Sequence, residues 1–371
     1  MKLHKKPIRV LIVDDSAFMR KIINDLLDSD PTITVIGHAR NGEQALQMIE
    51  SEKPDIITLD IEMPVLDGLK TLEIIMKKNP LPVIMLSSLT EEGSAQTIRA
   101  LELGAVDFIQ KPTLSFMITS SQFKEDLITK IKASIAYQII PQVTLNKVSE
   151  TPQGKIENVA LPPRETKSMR SEKSSRQYST QKIVAIAVST GGPKALQSVI
   201  PNLPGNLPSP VLIVQHMPAG FTKSLADRLN QLSDISVKEA EDGEIIKNSH
   251  VYIAPGDYHM KVRVEGDTAY IALSKDAPVG GHRPAADQLF DSIAIYPAEE
   301  TICVVMTGMG SDGTKGIEKL RQSRAVYVIA QNEESCVVYG MPKSVSTAGL
   351  VDQTAPLGHI ADIITNRIGG R

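Results

Sequence analysis

The sequence predicts an α/β protein of two doubly wound parallel-sheet domains, and three observations predict it. Apolar runs of four to six residues recur between residues 8 and 109, each followed by a stretch with helical spacing. That texture breaks between 141 and 180 and resumes at 182. The residues able to do chemistry stand just past the ends of the apolar runs, where an open parallel sheet gathers them into one crevice. A chain of 371 residues with 42% apolar content suits two packed cores, since domains commonly hold roughly 100–200 residues each. The predicted extents are 1–130 for the first domain, 131–181 for a linker with a helical start, and 182–371 for the second.

In the first domain the strand-like runs are 8–13, 33–37, 55–59, 82–86 and 106–109. Helical spacing fills 17–27, 42–50, 66–76 and 94–103, and a longer helix runs from 123 to about 140. The strands are apolar throughout, as expected when helices cover both faces of a parallel sheet. The flavodoxin-type order follows from right-handed crossovers.

Acidic residues gather at the carboxyl ends of these strands. Asp14 and Asp15 end the first and Asp60 ends the third, while Ser87 follows the fourth and Lys111 the fifth. Carboxylates sharing a crevice repel one another, and hard oxygen ligands in a partly open site favour Mg²⁺. A carboxylate beside a cation, a hydroxyl and a lysine makes a phosphoryl-acceptor site. Taken singly, each residue is equally an ordinary helix cap or surface charge.

These residues, with the segment Asp60-Ile61-Glu62-Met63-Pro64, Asp67-Gly68 and Lys111-Pro112, resemble the receiver domains of two-component response regulators over about 7–130. The resemblance implies phosphorylation at Asp60. It implies that Asp14, Asp15, Asp60 and the backbone carbonyl of Glu62 hold Mg²⁺, that Ser87 and Lys111 contact the phosphoryl group, and that Phe108 is the aromatic switch.

Between 141 and 180, seven Lys and Arg stand against four Asp and Glu among Pro, Ser and Thr. Such chain cannot bury enough apolar area to offset its ordering entropy, and it reads as a flexible tether.

The second domain opens on the run 183–187, which leads into Val188-Ser189-Thr190-Gly191-Gly192-Pro193. A serine at a sharp strand-to-helix turn presents its Oγ beside free helix N–H groups, a geometry suited to a nucleophile. The same turn also suits a phosphate-binding loop or a plain tight turn. The runs 211–215 and 301–306 lead into His216 and into Thr307-Gly308-Met309-Gly310-Ser311-Asp312-Gly313. A serine needs an imidazole to take its proton, and the imidazole needs a carboxylate to fix its tautomer. Ser189, His216 and Asp312 therefore form the candidate triad. His282 and Arg283 read as cleft-lining residues, with the guanidinium suited to a Glu-rich helix. His259 is a weaker rival for the base. Cys336 lacks a neighbour that would lower its pKa.

The motifs Ser189-Thr190-Gly191-Gly192, Gln215-His216-Met217-Pro218, Ala254-Pro255-Gly256-Asp257, His282-Arg283-Pro284, the 307–313 turn and Ala330-Gln331-Asn332-Glu333 resemble the catalytic domain of chemotaxis protein-glutamate methylesterases. Ala187-Val188 depart from the family's usual Gly-Ala, and Ser311 stands where asparagine is frequent. The resemblance implies a Rossmann-like methylesterase domain and a phosphorylation-regulated serine hydrolase. That enzyme demethylates glutamyl esters, and deamidates glutamines, on methyl-accepting chemoreceptors. A chemotaxis histidine kinase is the implied phosphodonor. Ester hydrolysis itself requires no cofactor. The backbone N–H groups of Met309 and Thr190 are the implied oxyanion donors. The alternative is a response regulator with a non-catalytic receptor-adaptor output domain.

Charge and composition exclude other classes. A formal net charge of −3, without a basic recognition helix, offers no nucleic acid partner. No apolar run approaches the roughly 20 residues that insert into a membrane. The basic start runs into a strand and is not a signal peptide, and two cysteines make no disulfide framework. The expected location is the cytoplasm.

Overall fold

The computed structural model describes residues 6–88, 90–112, 121–136 and 182–369; most of the predicted linker, 137–181, lies outside the described residues. The first half alternates β1 (Ile8–Val13), α1 (Ala17–Asp28), β2 (Ile33–Ala39), α2 (Gly42–Glu52), β3 (Ile56–Asp60), α3 (Gly68–Lys78), β4 (Val83–Ser87), α4 (Glu91–Leu103), β5 (Asp107–Gln110) and α5 (Ser121–Ala136). Its five strands are all parallel in the order β2-β1-β3-β4-β5, the flavodoxin-like arrangement. Side chains on both faces of β1 are buried, from Val10 to Val13, which is why these strands lack an apolar–polar alternation. Polar side chains start the helices. Ser16, Asn41, Asp67 and Thr90 each accept the N–H three residues on. Asp67 starts α3 at Gly68, two residues later than the spacing predicts, because a capped start outweighs the apolar Leu66.

The second half contains β6 (Lys182–Val188), α6 (Gly192–Val199), β7 (Val211–Gln215), α7 (Phe221–Leu232), β8 (Ser236–Glu239), β9 (His250–Ile253), β10 (His259–Glu265) and β11 (Thr268–Ser274). It continues through α8 (Ala286–Ile293), β12 (Glu300–Val305), α9 (Thr314–Ser323), β13 (Ala325–Gln331), α10 (Met341–Thr347), β14 (Gln353–Ala355) and α11 (Ile360–Ile368). Seven parallel strands run β14-β13-β12-β6-β7-β9-β8, and β10-β11 form a separate antiparallel hairpin. The order reverses between β6 and β12, which sets the switch-point crevice of a Rossmann-like sheet beside the end of β6. Two edge strands, β8 and β14, carry little apolar signal and escape sequence reading. Helix α8 begins at Ala286, two residues after the Arg283-Pro284 step. No helix among the described residues is long and apolar enough to cross a membrane.

The two halves meet along α4 and α7. Phe108 of β5 packs its ring 4.6 Å from that of Phe221, the first residue of α7. Glu102 of α4 accepts from Arg228 Nε at 2.5 Å and from Gln197 Nε2 at 3.3 Å.

Candidate active site

Three adjacent strands place the candidate residues. Val188 of β6 lies opposite Gln215 of β7, and Ala187 lies opposite Val305 of β12. The ladder continues one step beyond the strands, because His216 N–H donates to the Val188 carbonyl and Ser189 N–H donates to the Thr307 carbonyl. Ser189 thus stands between the ends of β7 and β12. Its own carbonyl accepts from Gly192 N–H at 2.8 Å and Gln215 Nε2 at 3.0 Å, which holds the turn. Gly191 needs its positive φ of 76° here, and a Cβ on Gly308 would stand 2.8 Å from Ser189 Cβ. These glycines keep the space around the serine open.

His216 Nε2 donates to Asp312 Oδ2 at 2.7 Å, and both side chains are only 7% exposed. This bond assigns the tautomer: Nε2 carries the proton and Nδ1 keeps its lone pair. Nδ1 is buried and has no hydrogen-bond partner. Ser189 Oγ makes no hydrogen bond to it. Neighbouring ladder positions lie about 5 Å apart, within reach of a side-chain rotation. Asp312 also accepts the N–H of Ala286 on Oδ2 (2.6 Å) and of Asp287 on Oδ1 (3.0 Å). Burial alone would raise the Asp312 carboxyl, but its bond to His216 and these N–H groups hold it below the usual carboxylate range. The N–H groups of Thr190 and Met309 donate no hydrogen bond among the described residues and remain available to a developing oxyanion.

His282 stacks face to face on His216, with ring centroids 4.0 Å apart and planes 5° from parallel. Burial, with the nearby His216 and Lys130 charges opposing Asp312, pushes its pKa down to about 4. It is neutral at neutral pH. A histidine held neutral costs stability in acid: the contribution is complete above about 6.5 and is lost as pH falls through about 4. His282→Phe is therefore expected to gain on the parent protein in thermal unfolding between pH 7 and 4. Parallel curves across that window would refute the burial argument.

The Arg283 guanidinium, expected from the sequence to line the cleft, is held by neighbouring groups. Its Nη2 pairs with Asp257 Oδ1 at 2.6 Å, and its Nη1 donates to the carbonyls of Lys275 and Asp276. Most of its fork is already committed. His259 is fully buried on β10, with Nε2 on the Ala277 carbonyl, and takes no part in the His216–Asp312 pair. Cys336 is buried and its thiol is pushed up to about 12, chiefly by desolvation, which makes it a poor nucleophile.

In the first sheet, Asp14, Asp15 and Asp60 each place an oxygen within 4.8 Å of the others. Lys111 Nζ bridges Asp14 Oδ2 at 2.8 Å and Asp60 Oδ2 at 2.7 Å. Burial raises the Asp60 pKa to about 6, with Asp14 and Asp15 adding to it and Lys111 opposing. An all-oxygen cluster destabilised by its own charge fits a hard divalent cation. The Glu62 carbonyl accepts no hydrogen bond among the described residues. Ser87 is fully buried, and its Oγ lies 2.6 Å from Thr97 Oγ1 and 3.2 Å from the Gly93 carbonyl. Its hydroxyl is thus engaged with α4 and forms no hydrogen bond with Asp60. Phe108 is 3% exposed, its ring against Phe221 and 5.4 Å from Lys130 Nζ. Sequence reading missed Phe221, Lys130 and the Glu102–Arg228 pair. Contacts formed across such separations leave no local pattern.

Fold and site together define a class: a response-regulator receiver joined to a parallel α/β domain arranged as in serine hydrolases. The response regulator receiver domain model matches residues 10–120, and the CheB methylesterase model matches residues 184–364. The chain belongs to the CheB methylesterase family. It is 47% identical over 360 residues to the protein-glutamate methylesterase/protein-glutamine glutaminase of Halalkalibacterium halodurans, covering 97% of this chain and 98% of that one. It is 48% identical over 362 residues to the protein of that name from Bacillus subtilis, covering 97% and 98%. Among solved structures, the Thermotoga maritima CheB methylesterase catalytic domain is 47% identical and covers 50% of this chain and 97% of that one, with a TM-score of 0.48.

Proposed function

We propose that this chain hydrolyses γ-glutamyl methyl esters, and deamidates glutamines, on methyl-accepting chemoreceptors under the control of its receiver. The observation that carries the reading is the buried His216–Asp312 pair, whose Nδ1 is unpartnered and whose His216 backbone stands one ladder step from Ser189. Ser189 Oγ attacks the ester carbonyl while His216 Nδ1 takes its proton. Met309 and Thr190 N–H groups take the oxyanion. The methoxide leaves with the proton from His216, and water, deprotonated by the same nitrogen, attacks the acyl-enzyme to release glutamate and Ser189. With glutamine the leaving group is ammonia. His282 backs the base, and Arg283, held by Asp257, lines the rim of the substrate cleft. No metal is needed for this chemistry.

Residues 1–130 act as the regulatory domain and 182–371 as the catalytic domain, with 131–181 as the connection between them. Asp60 receives the phosphoryl group from a chemotaxis histidine kinase. Asp14, Asp15, Asp60 and the Glu62 carbonyl would hold Mg²⁺, which supplies charge neutralisation for phosphoryl transfer. Lys111, which bridges Asp14 and Asp60 in the unphosphorylated protein, exchanges these carboxylates for the new phosphate, and Ser87 turns from α4 toward it. The added charge of about −1.5 to −2 alters the loops that carry Ser87 and Phe108. Phe108 then shifts on Phe221, five residues beyond His216, and loosens the α4–α7 packing. Methanol release from methylated receptors, with and without a small phosphodonor, tests the scheme. Asp60→Asn is expected to keep the basal rate and lose the stimulation; full stimulation in that variant would remove Asp60 from the scheme.

A further inference from the structure

Helices α8 and α9 exchange carboxylates at their N-termini. Asp312, two residues before α9, accepts the first N–H groups of α8, from Ala286 at 2.6 Å and Asp287 at 3.0 Å. Asp287, in the first turn of α8, accepts on its Oδ1 the N–H of Gly313, just before α9, at 3.0 Å and that of Gly316, in the first turn of α9, at 2.7 Å. Neither helix is capped by its own N-cap residue: Ala285 and Gly313 stand at the cap positions and make no side-chain cap bond. The side-chain acceptors at each N-terminus therefore come from across the pair, while Thr314 N–H turns back to the Ser311 carbonyl. Both donors to Asp287 are glycines for a steric reason. A Cβ on Gly316 would stand 2.9 Å from Asp287 Cα and 2.8 Å from Phe290 Cβ, and one on Gly313 would stand 2.9 Å from Phe290 Cε2. The missing side chains let α8 close on α9.

We propose that Asp287 is a positioning residue for the reaction, acting on His216 through Asp312. Asp312 can hold His216 Nε2 only while its carboxylate stays on the two α8 N–H groups. Those groups stay in place because Asp287 pins the start of α8 to the residue after Asp312. The pair works as a reciprocal clamp in which one carboxylate orients the imidazole and the other orients that carboxylate. This rests on the reading of Asp312 as the partner of the catalytic base. Sequence reading passed over Asp287 because an aspartate in the first turn of a helix is an ordinary dipole match.

The test is the rate of methanol release from methylated receptors by the full chain with a small phosphodonor present. Asp287→Ala is expected to lower kcat 10–100-fold with KM within twofold of the parent. Asp287→Asn keeps an amide oxygen for the two N–H groups and is expected to stay within threefold. Gly316→Ala, which wedges the helices apart, is expected to follow Asp287→Ala. An Asp287→Ala kcat within twofold of the parent would overturn the proposal, and so would an Asp287→Asn loss as deep as that of Asp287→Ala. Should Asp287→Ala not fold, Asp287→Glu decides. It keeps the charge but carries the carboxylate off the two N–H groups, so a tenfold loss supports the clamp and a parental kcat overturns it. Asp312→Asn, measured alongside, separates the two levels. If that variant keeps full activity, the triad reading itself fails; if it is inactive while Asp287→Ala is unimpaired, only the clamp fails.

Discussion

Ser189→Ala is expected to lower kcat for methanol release by roughly 10⁶-fold, the scale on which serine hydrolases lose activity without their nucleophile. The expectation follows from the site's construction. The turn is held by the Ser189 carbonyl and N–H, not by its Oγ, which makes no hydrogen bond. Removing that oxygen leaves the strand ends, the glycine turn and the His216–Asp312 pair in place. Folding and receptor binding should therefore persist while the acyl-enzyme cannot form. Thermal unfolding within a degree or two of the parent, together with lost turnover, would separate chemistry from stability. A variant that keeps near-parental turnover would dismiss Ser189 as nucleophile.

Asp312→Asn is expected to cost roughly 10⁴-fold in kcat, the loss typical of a triad aspartate turned into an amide. Here three donors converge on the two carboxylate oxygens: His216 Nε2 and Ala286 N–H on Oδ2, and Asp287 N–H on Oδ1. An asparagine can offer an oxygen to only one side. With its NH₂ toward His216, the imidazole must take the other tautomer and loses its basic Nδ1. With its NH₂ toward Asp287, a buried N–H is left facing another donor, at a cost of about 1–3 kcal/mol. Either way the negative charge that stabilises the imidazolium is gone. A loss of less than tenfold in kcat would mean that Asp312 only props the loop.

Sequence alone carried the parts of this protein that are written locally. Strand-length apolar runs gave the two sheets, because both faces of a parallel strand are buried and its pattern is continuous. The residues after those runs located the acidic cluster and brought Ser189, His216 and Asp312 to one edge, since connectivity fixes which ends of a parallel sheet point the same way. The glycines after Ser189 were legible because only glycine tolerates the backbone that the turn requires. Edge strands β8 and β14 were not, for they are three or four residues long and each buries a single core residue, Val237 or Ala355, too few to show a pattern.

Tertiary packing decided what depends on distance and direction. Which nitrogen of His216 carries the proton follows from where Asp312 sits, 96 positions away. The stacking of His282, the commitment of Arg283 to Asp257, the Phe108–Phe221 contact and the exchange of carboxylates between α8 and α9 all join segments whose local sequences are unremarkable. A hydrogen bond reads a few tenths of an ångström, and residue spacing along a chain does not encode separations that fine.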